Sequence, residues 1–270
     1  MADITLQFPD GKQRQFDANA TTKDVAQSIA ISLAKKAVAG KLDGQLIDLN
    51  APLKRDGKIE IVTKDSADGL AVLRQSVALL TKVALKETFP EIQFGSEVGD
   101  ADGFYVDTDK QDGQVSVDSL PAVTDKVQAF INQKLAIKHV IVSKADALKK
   151  LEGTSYEAKL VEDSDKTEFP FYEIDGVSVL ASGVSFDNTG DIKFFRLLSV
   201  AGAYFEGKSS NPMLQRIYGT AFYKQADLDA DLQARQEARE HDHRVIGNDL
   251  DLFFFDPKVG AGLPYWMPNG

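Results

Sequence analysis

The stretch ITLQFPDGKQRQFDA, residues 4–18, sets the fold of the first part of the chain. Ile4, Leu6 and Phe8 alternate with Thr5 and Gln7, and a period of two puts every second side chain on one face of a strand. PDGK follows, with Asp-Gly at the centre of a tight turn, and QRQFDA reads as the return strand. Outward from this hairpin, Thr21 or Thr22 can cap a helix through KDVAQSIAISLAKK (23–36), where Val25, Ile29 and Leu33 recur at helical spacing. AVAGKLDGQLIDL (37–49) reads as two short strands around a second Asp-Gly turn. GKIEIVT (57–63) is a closing strand rich in β-branched residues.

Hairpin, helix, then strands is the order of a β-grasp, or ubiquitin-like, unit, and residues 1–63 are predicted to form one. Other small α/β domains share that order. KDSADGLAVLRQSVALLTKVALKETFP (64–90) is predicted as a long helix with a stripe at Leu73, Val77 and Leu80, ended by Pro90. A hairpin at 92–109, a helix at 120–136 with Val123, Val127, Phe130 and Ile131 on one face, and a strand and short helix capped by Ser143 follow. Two β-rich stretches, 169–186 and 191–207, complete a larger α+β domain, 64–223. KQADLDADLQARQEAREHDHRVIGNDLDL (224–252) is mostly charged, and its apolar positions, Leu228 and Leu232, are sparse, the composition of a solvated linker helix, placed at 224–247. The fold class is therefore α+β. The last residues, LDLFFFDPKVGAGLPYWMPNG (250–270), are as apolar as the start of another core, so 248–270 is expected to open a further domain.

A chain of 270 residues suits about two domains. Its formal charge of −10 argues against a dedicated nucleic-acid binder, because phosphate contacts rest on clustered Lys and Arg. Cysteine is absent, which removes disulfides, thiolate metal sites and Cys nucleophiles. No apolar run reaches the length of a membrane span, and the first residues lack the pattern of a signal peptide, so a cytoplasmic protein with no membrane partner is expected. Of the three histidines, His241 and His243 are two apart on a predicted helix and point away from each other. His139 opens a strand without ligand spacing to anything. No metal site is predicted. SGVS (182–185) lacks the glycine of a nucleophile elbow, and neither a P-loop nor a dinucleotide glycine pattern occurs. From residue types alone, the chain has no catalytic constellation.

VAGAYFEGKSSNPMLQRIYGTAFY (200–223) resembles the end of the editing domain of the threonyl-tRNA synthetases. The resemblance extends in order over the whole chain. The first unit resembles that family's β-grasp domain, HDHRVIGNDLDLFFFD (241–256) its linker helix, and GAGLPYWMPNG (260–270) the first turn and strand of its catalytic domain. It implies that the intact protein ligates threonine to its tRNA with ATP. The ATP, magnesium and zinc sites would lie in catalytic sequence beyond Gly270, and none is expected in this fragment.

In that family the second domain hydrolyses mischarged seryl-tRNA with an HxxxH pair on its first long helix and a CxxxH pair on a later β-rich segment. Such chemistry needs ionisable groups that position and activate a water. The helical pair falls here on Gln75 and Leu79, and the later pair on Ala181 and Ser185. The aspartate two before the cysteine falls on Val179, and the lysine after "SY" on Glu157. Leu79 and Ala181 cannot move protons, and Gln75 and Ser185 do not titrate near neutral pH. The resemblance thus implies an editing-type domain without its catalytic set, these positions having become pocket wall and packing.

The implied partner is the acceptor arm of tRNA(Thr), bound weakly by the isolated chain. Lys35, Lys36, Lys54, Arg55, Arg216 and Lys224, with Lys149 and Lys150, are candidate phosphate contacts, and Tyr218 and Phe222 serve either core or interface. The fragment is expected to be a monomer and the intact protein a homodimer. The alternative is a free-standing truncated paralogue that binds tRNA or regulates without catalysis; whether the chain is an enzyme is open on sequence.

Overall fold

The computed structural model describes residues 3–110, 113–240, 253–255 and 264–266. The alternation at the start of the chain becomes β1 (Asp3–Gln7), antiparallel to β2 (Gln13–Asp17) with Ile4 opposite Phe16. Ile4 and Leu6 are buried while their neighbours are not, as the period of two requires. Helix α1 (Thr22–Ile29) starts at Thr21, whose hydroxyl accepts the Asp24 N–H while the Asp24 carboxylate accepts the Thr21 N–H. This reciprocal box satisfies two of the free donors of the first turn.

The single helix expected over 23–36 is broken. Ala30 is extended (φ −163°, ψ 140°), and only a four-residue helix, α2 (Ile31–Ala34), follows. Val25 and Ala26 are buried, but Ile29 is 43% and Ile31 72% exposed. The apolar stripe has no core to meet beyond Ala26, so packing no longer supports another turn. Strands β3 (Ala37–Leu42), β4 (Gln45–Asp48) and β5 (Gly57–Thr63) complete a sheet of order β2-β1-β5-β3-β4, with β1 and β5 parallel. Asp43 (φ 50°) and Gly44 (φ 83°) both adopt the left-handed conformation that a two-residue hairpin turn demands.

The second part is built around α3 (Ala67–Thr88), which begins at the N-cap Ser66. Sequence spacing predicts a one-sided stripe, yet every residue from Val72 to Leu85 is buried. The helix packs on the sheet β11-β12-β7-β6, formed by β6 (Gln93–Gly99), β7 (Phe104–Asp109), β11 (Phe194–Tyr204) and β12 (Met213–Phe222), all antiparallel. It also meets α4 (Leu120–Gln133) and a three-stranded sheet of β8 (Lys138–Ser143), β9 (Glu168–Ile174) and β10 (Val177–Leu180). Ser143 caps α5 (Lys144–Lys150) as expected. Helix α6 (Ser155–Glu162) is not foreseen by the sequence reading; eight residues give too short a window for helical periodicity to stand out.

Ala39 of β3 and Val62 of β5 belong to the same apolar core as α3, Phe104, Ile217 and Ala221. Residues 1–223 accordingly form one compact unit, with a smaller core inside the β-grasp sheet and another under α5. Residues 224–270 form the second unit. Within it, α7 (Gln225–Glu240) is polar along most of its length and carries i,i+4 pairs such as Arg235 with Asp231. Strand β13 (Phe253–Phe255) pairs with β14 (Pro264–Trp266), Phe253 opposite Trp266. His241, His243, the predicted end of the linker helix and the rest of the apolar tail lie outside the described residues.

Candidate functional site

Gln75, Leu79 and Lys82 follow one another on α3 at spacings of four and three, which places them on one face. That face meets the β10 end, the loop after it and α6, so the fold brings the positions implied by the resemblance into one neighbourhood. Leu79, Val179 and Ala181 lie in the apolar core. Gln75 Oε1 accepts the Gly99 N–H at 2.8 Å, and its Nε2 reaches Ser182 Oγ at 3.4 Å. Ser185 faces Ser76 instead of Gln75: the two hydroxyls are 3.2 Å apart, and Ser76 Oγ also accepts the Phe186 N–H.

Glu157 is held by a residue that the sequence reading did not single out. Lys82 Nζ donates to Glu157 Oε1 at 2.9 Å, to Glu97 Oε2 at 3.0 Å and to the Leu180 carbonyl at 2.7 Å. The side chains of Lys82, Glu97 and Glu157 are 1%, 4% and 5% exposed. An ammonium has three protons, and all three are used. Glu97 Oε1 also accepts the Ser182 N–H at 2.7 Å. Burial alone would push the Lys82 pKa down, but Glu157 and Glu97 outweigh it and the net direction is up. Burial raises the Glu157 pKa, and nearby Glu97 adds to the rise against the pull of Lys82. Two carboxylates around one ammonium favour its charged form, while at Glu157 burial is the larger of the two raising causes and the Glu97 charge the smaller. The signal was present in the sequence: Lys82 is the one charge in VALLTKVAL (77–85), and a lysine in so apolar a stretch must find a partner when buried.

A second cluster ties the β-grasp sheet to the larger domain. Tyr172 OH donates to Asp48 Oδ1 at 2.6 Å and accepts the Ser185 N–H at 3.1 Å. His139 Nδ1 lies 2.6 Å from Asp48 Oδ2, and its ring stacks on Tyr172 with centroids 4.8 Å apart. Burial and the Asp48 charge push the Tyr172 pKa up. Beside this cluster is a cavity of about 680 Å³ with walls that include Leu46, Leu53, Ile141, Pro170 and Val184. His139 thus serves the seam between the domains. Among the described residues no group of three or more His, Cys, Asp or Glu could hold a metal ion.

The candidate phosphate contacts are scattered. Lys35, Lys54 and Lys224 are exposed and make no side-chain ion pair among the described residues. Lys36 pairs with Asp65, Arg55 with Asp43, Lys149 with Asp146 and Lys150 with Glu173. Arg216 is bound in bidentate fashion to Asp107, at 2.6 and 2.8 Å, and lies over the Tyr105 ring. The Asp107 hydrogen bonds hold its pKa above the usual arginine value. Tyr218 is 38% exposed and tilts against Tyr105, whereas Phe222 lies under the Arg74 guanidinium.

Comparison with known proteins fits this arrangement. Residues 4–63 match the family described as the TGS domain, and residues 171–218 the threonyl and alanyl tRNA synthetase second additional domain. The chain is 62% identical over 270 residues to the threonine–tRNA ligase of Levilactobacillus brevis, covering 100% of this chain and 42% of that protein. Over its whole length the chain is similar to the amino-terminal part of threonine–tRNA ligases, and it carries the two domain types that these matches describe. Identity to the threonine–tRNA ligase of Lactiplantibacillus plantarum is 55% over 276 residues, with 100% and 42% covered, and to that of Lactobacillus helveticus 46% over 267, with 99% and 41%. The chain thus spans about two fifths of the length of these synthetases.

Proposed function

We propose that this chain is the tRNA-handling region of a threonine–tRNA ligase whose editing-type domain does not hydrolyse seryl-tRNA. The carrying observation is the Lys82 cluster. Where a hydrolytic set would have to position a water, an internal ammonium is fully satisfied by Glu97, Glu157 and Leu180 O, beside Leu79 and Ala181, which carry no proton-moving group. The test is the rate at which the chain deacylates seryl-tRNA(Thr), expected to equal the spontaneous rate.

In this reading the intact protein joins threonine to tRNA(Thr) with ATP and magnesium, using a catalytic domain that also holds the zinc. Zinc of that kind requires Cys and His ligands, which the described part of this chain does not bring together. The region contributes weak contacts to the acceptor arm through its free surface ammonium groups, Lys35, Lys54 and Lys224. Discrimination against serine then rests on the synthetic site. We place the intact protein in the cytoplasm as a homodimer. Among the described residues no helix is long and apolar enough to cross a membrane.

A further inference from the structure

The Lys82 cluster is built like a binding site. Its three acceptors come from three separate segments: Glu97 from β6, Glu157 from α6 and the Leu180 carbonyl from the end of β10. Phe94 adds an aromatic ring, its centroid 5.3 Å from Nζ. Glu97 is anchored independently of Lys82, because its Oε1 accepts the Ser182 N–H and its backbone carbonyl accepts the Ser182 hydroxyl, each at 2.7 Å. Two carboxylates facing one ammonium leave an excess negative charge, which favours a cation at this point in any case. Three directed acceptors and one aromatic ring suit a primary ammonium. A quaternary ammonium has no protons to give them, and a neutral hydroxyl has one.

We propose that this cage is a primary-ammonium site that the chain fills with its own Lys82. The inference deepens the hydrolytically silent reading given above and rests on it. The ligand class excluded by Lys82 is a small primary ammonium. Ser182, whose N–H is held by Glu97, also lines the cavity at the domain seam together with Gly183 and Val184.

Lys82→Ala removes Cγ, Cδ, Cε and Nζ, the heavy atoms of n-propylammonium. The test is thermal unfolding of the full chain and of Lys82→Ala, titrated with n-propylammonium chloride, n-propanol, tetramethylammonium chloride and sodium chloride. The expected result is a saturable rise in the midpoint of Lys82→Ala with n-propylammonium, at least about tenfold tighter than n-propanol. The native chain should respond to n-propylammonium no more than to sodium chloride. If Lys82→Ala does not fold alone, the same titration is followed as recovery of the circular dichroism of the native chain. Absence of a rise or recovery beyond the salt control overturns the proposal, as does an equal effect of n-propanol or an equal effect on the native chain. Amine binding is read without tRNA. A Lys82→Ala chain that takes n-propylammonium while the native chain hydrolyses seryl-tRNA would therefore leave the cage standing and remove the silent reading.

Discussion

The seam between the β-grasp sheet and the larger domain predicts a large effect from one oxygen atom. Tyr172→Phe deletes the hydroxyl that donates to Asp48 and accepts the Ser185 N–H, in a side chain only 2% exposed. A hydrogen bond to a charged group contributes about 1.5–3 kcal/mol, and a buried N–H left unpaired costs about 1–3 kcal/mol. Asp48 keeps His139 Nδ1, which offsets part of this, so the expected net loss is roughly 3 kcal/mol. For a unit of this size that lowers the midpoint by roughly 6–12 °C. Phe fills the volume of Tyr, so no cavity term is added. Urea and thermal unfolding of the native chain, Tyr172→Phe, Asp48→Ala and the double variant form a complete cycle. The hydroxyl and carboxylate share one bond, so the double variant should lose clearly less than the sum of the singles. A loss below about 0.5 kcal/mol for Tyr172→Phe, or strict additivity, refutes the seam as described.

Four further outcomes follow from individual contacts. Because the Glu157 pKa is raised in the fold, its bound proton stabilises the native state below the ordinary glutamate value, and that contribution is lost as pH rises through the raised pKa. Glu157→Gln cannot lose it, so its stability relative to the native chain should climb with pH in urea titrations between about pH 4 and 8; a flat difference refutes the direction. A Cβ at Gly219 would meet the Phe104 ring at 2.2 Å, so Gly219→Ala should cost about 1–3 kcal/mol and be partly rescued by Phe104→Leu in the same unfolding assay. If the free surface ammonium groups contact phosphate, Lys35→Ala with Lys54→Ala should lower the salt slope of acceptor-arm binding by about two units in filter-binding titrations. Arg216→Ala should act chiefly on stability, because its guanidinium is already committed to Asp107.

The β-grasp part was legible because its signals are local. Alternation at Ile4 and Leu6, two Asp-Gly turns and a capping threonine each act within a few residues. The break at Ala30 was not, since it depends on where the core stops, which no window of sequence contains. Helix α3 illustrates the same limit: Leu73, Val77 and Leu80 marked its inner face, but burial on all sides from Val72 to Leu85 requires the sheets and α4 around it. At the candidate site, Leu79 and Ala181 were readable as residues that cannot move protons. Glu157 was readable as a reversal of charge but not as half of an exchange, because Lys82 and Glu97 are 75 and 60 positions away from it in the chain. The pairing of Arg216 with Asp107 was hidden for the same reason, being a cross-strand contact between β12 and β7.

The central claim is that the editing-type domain is hydrolytically silent, and deacylation of seryl-tRNA(Thr) by the purified chain tests it most directly. With the chain in excess over the mischarged tRNA, the seryl group should be lost at the rate seen without protein, unchanged by Gln75→Ala or Ser185→Ala. Acceleration above that rate which disappears on substitution of Gln75 or Ser185 would contradict it.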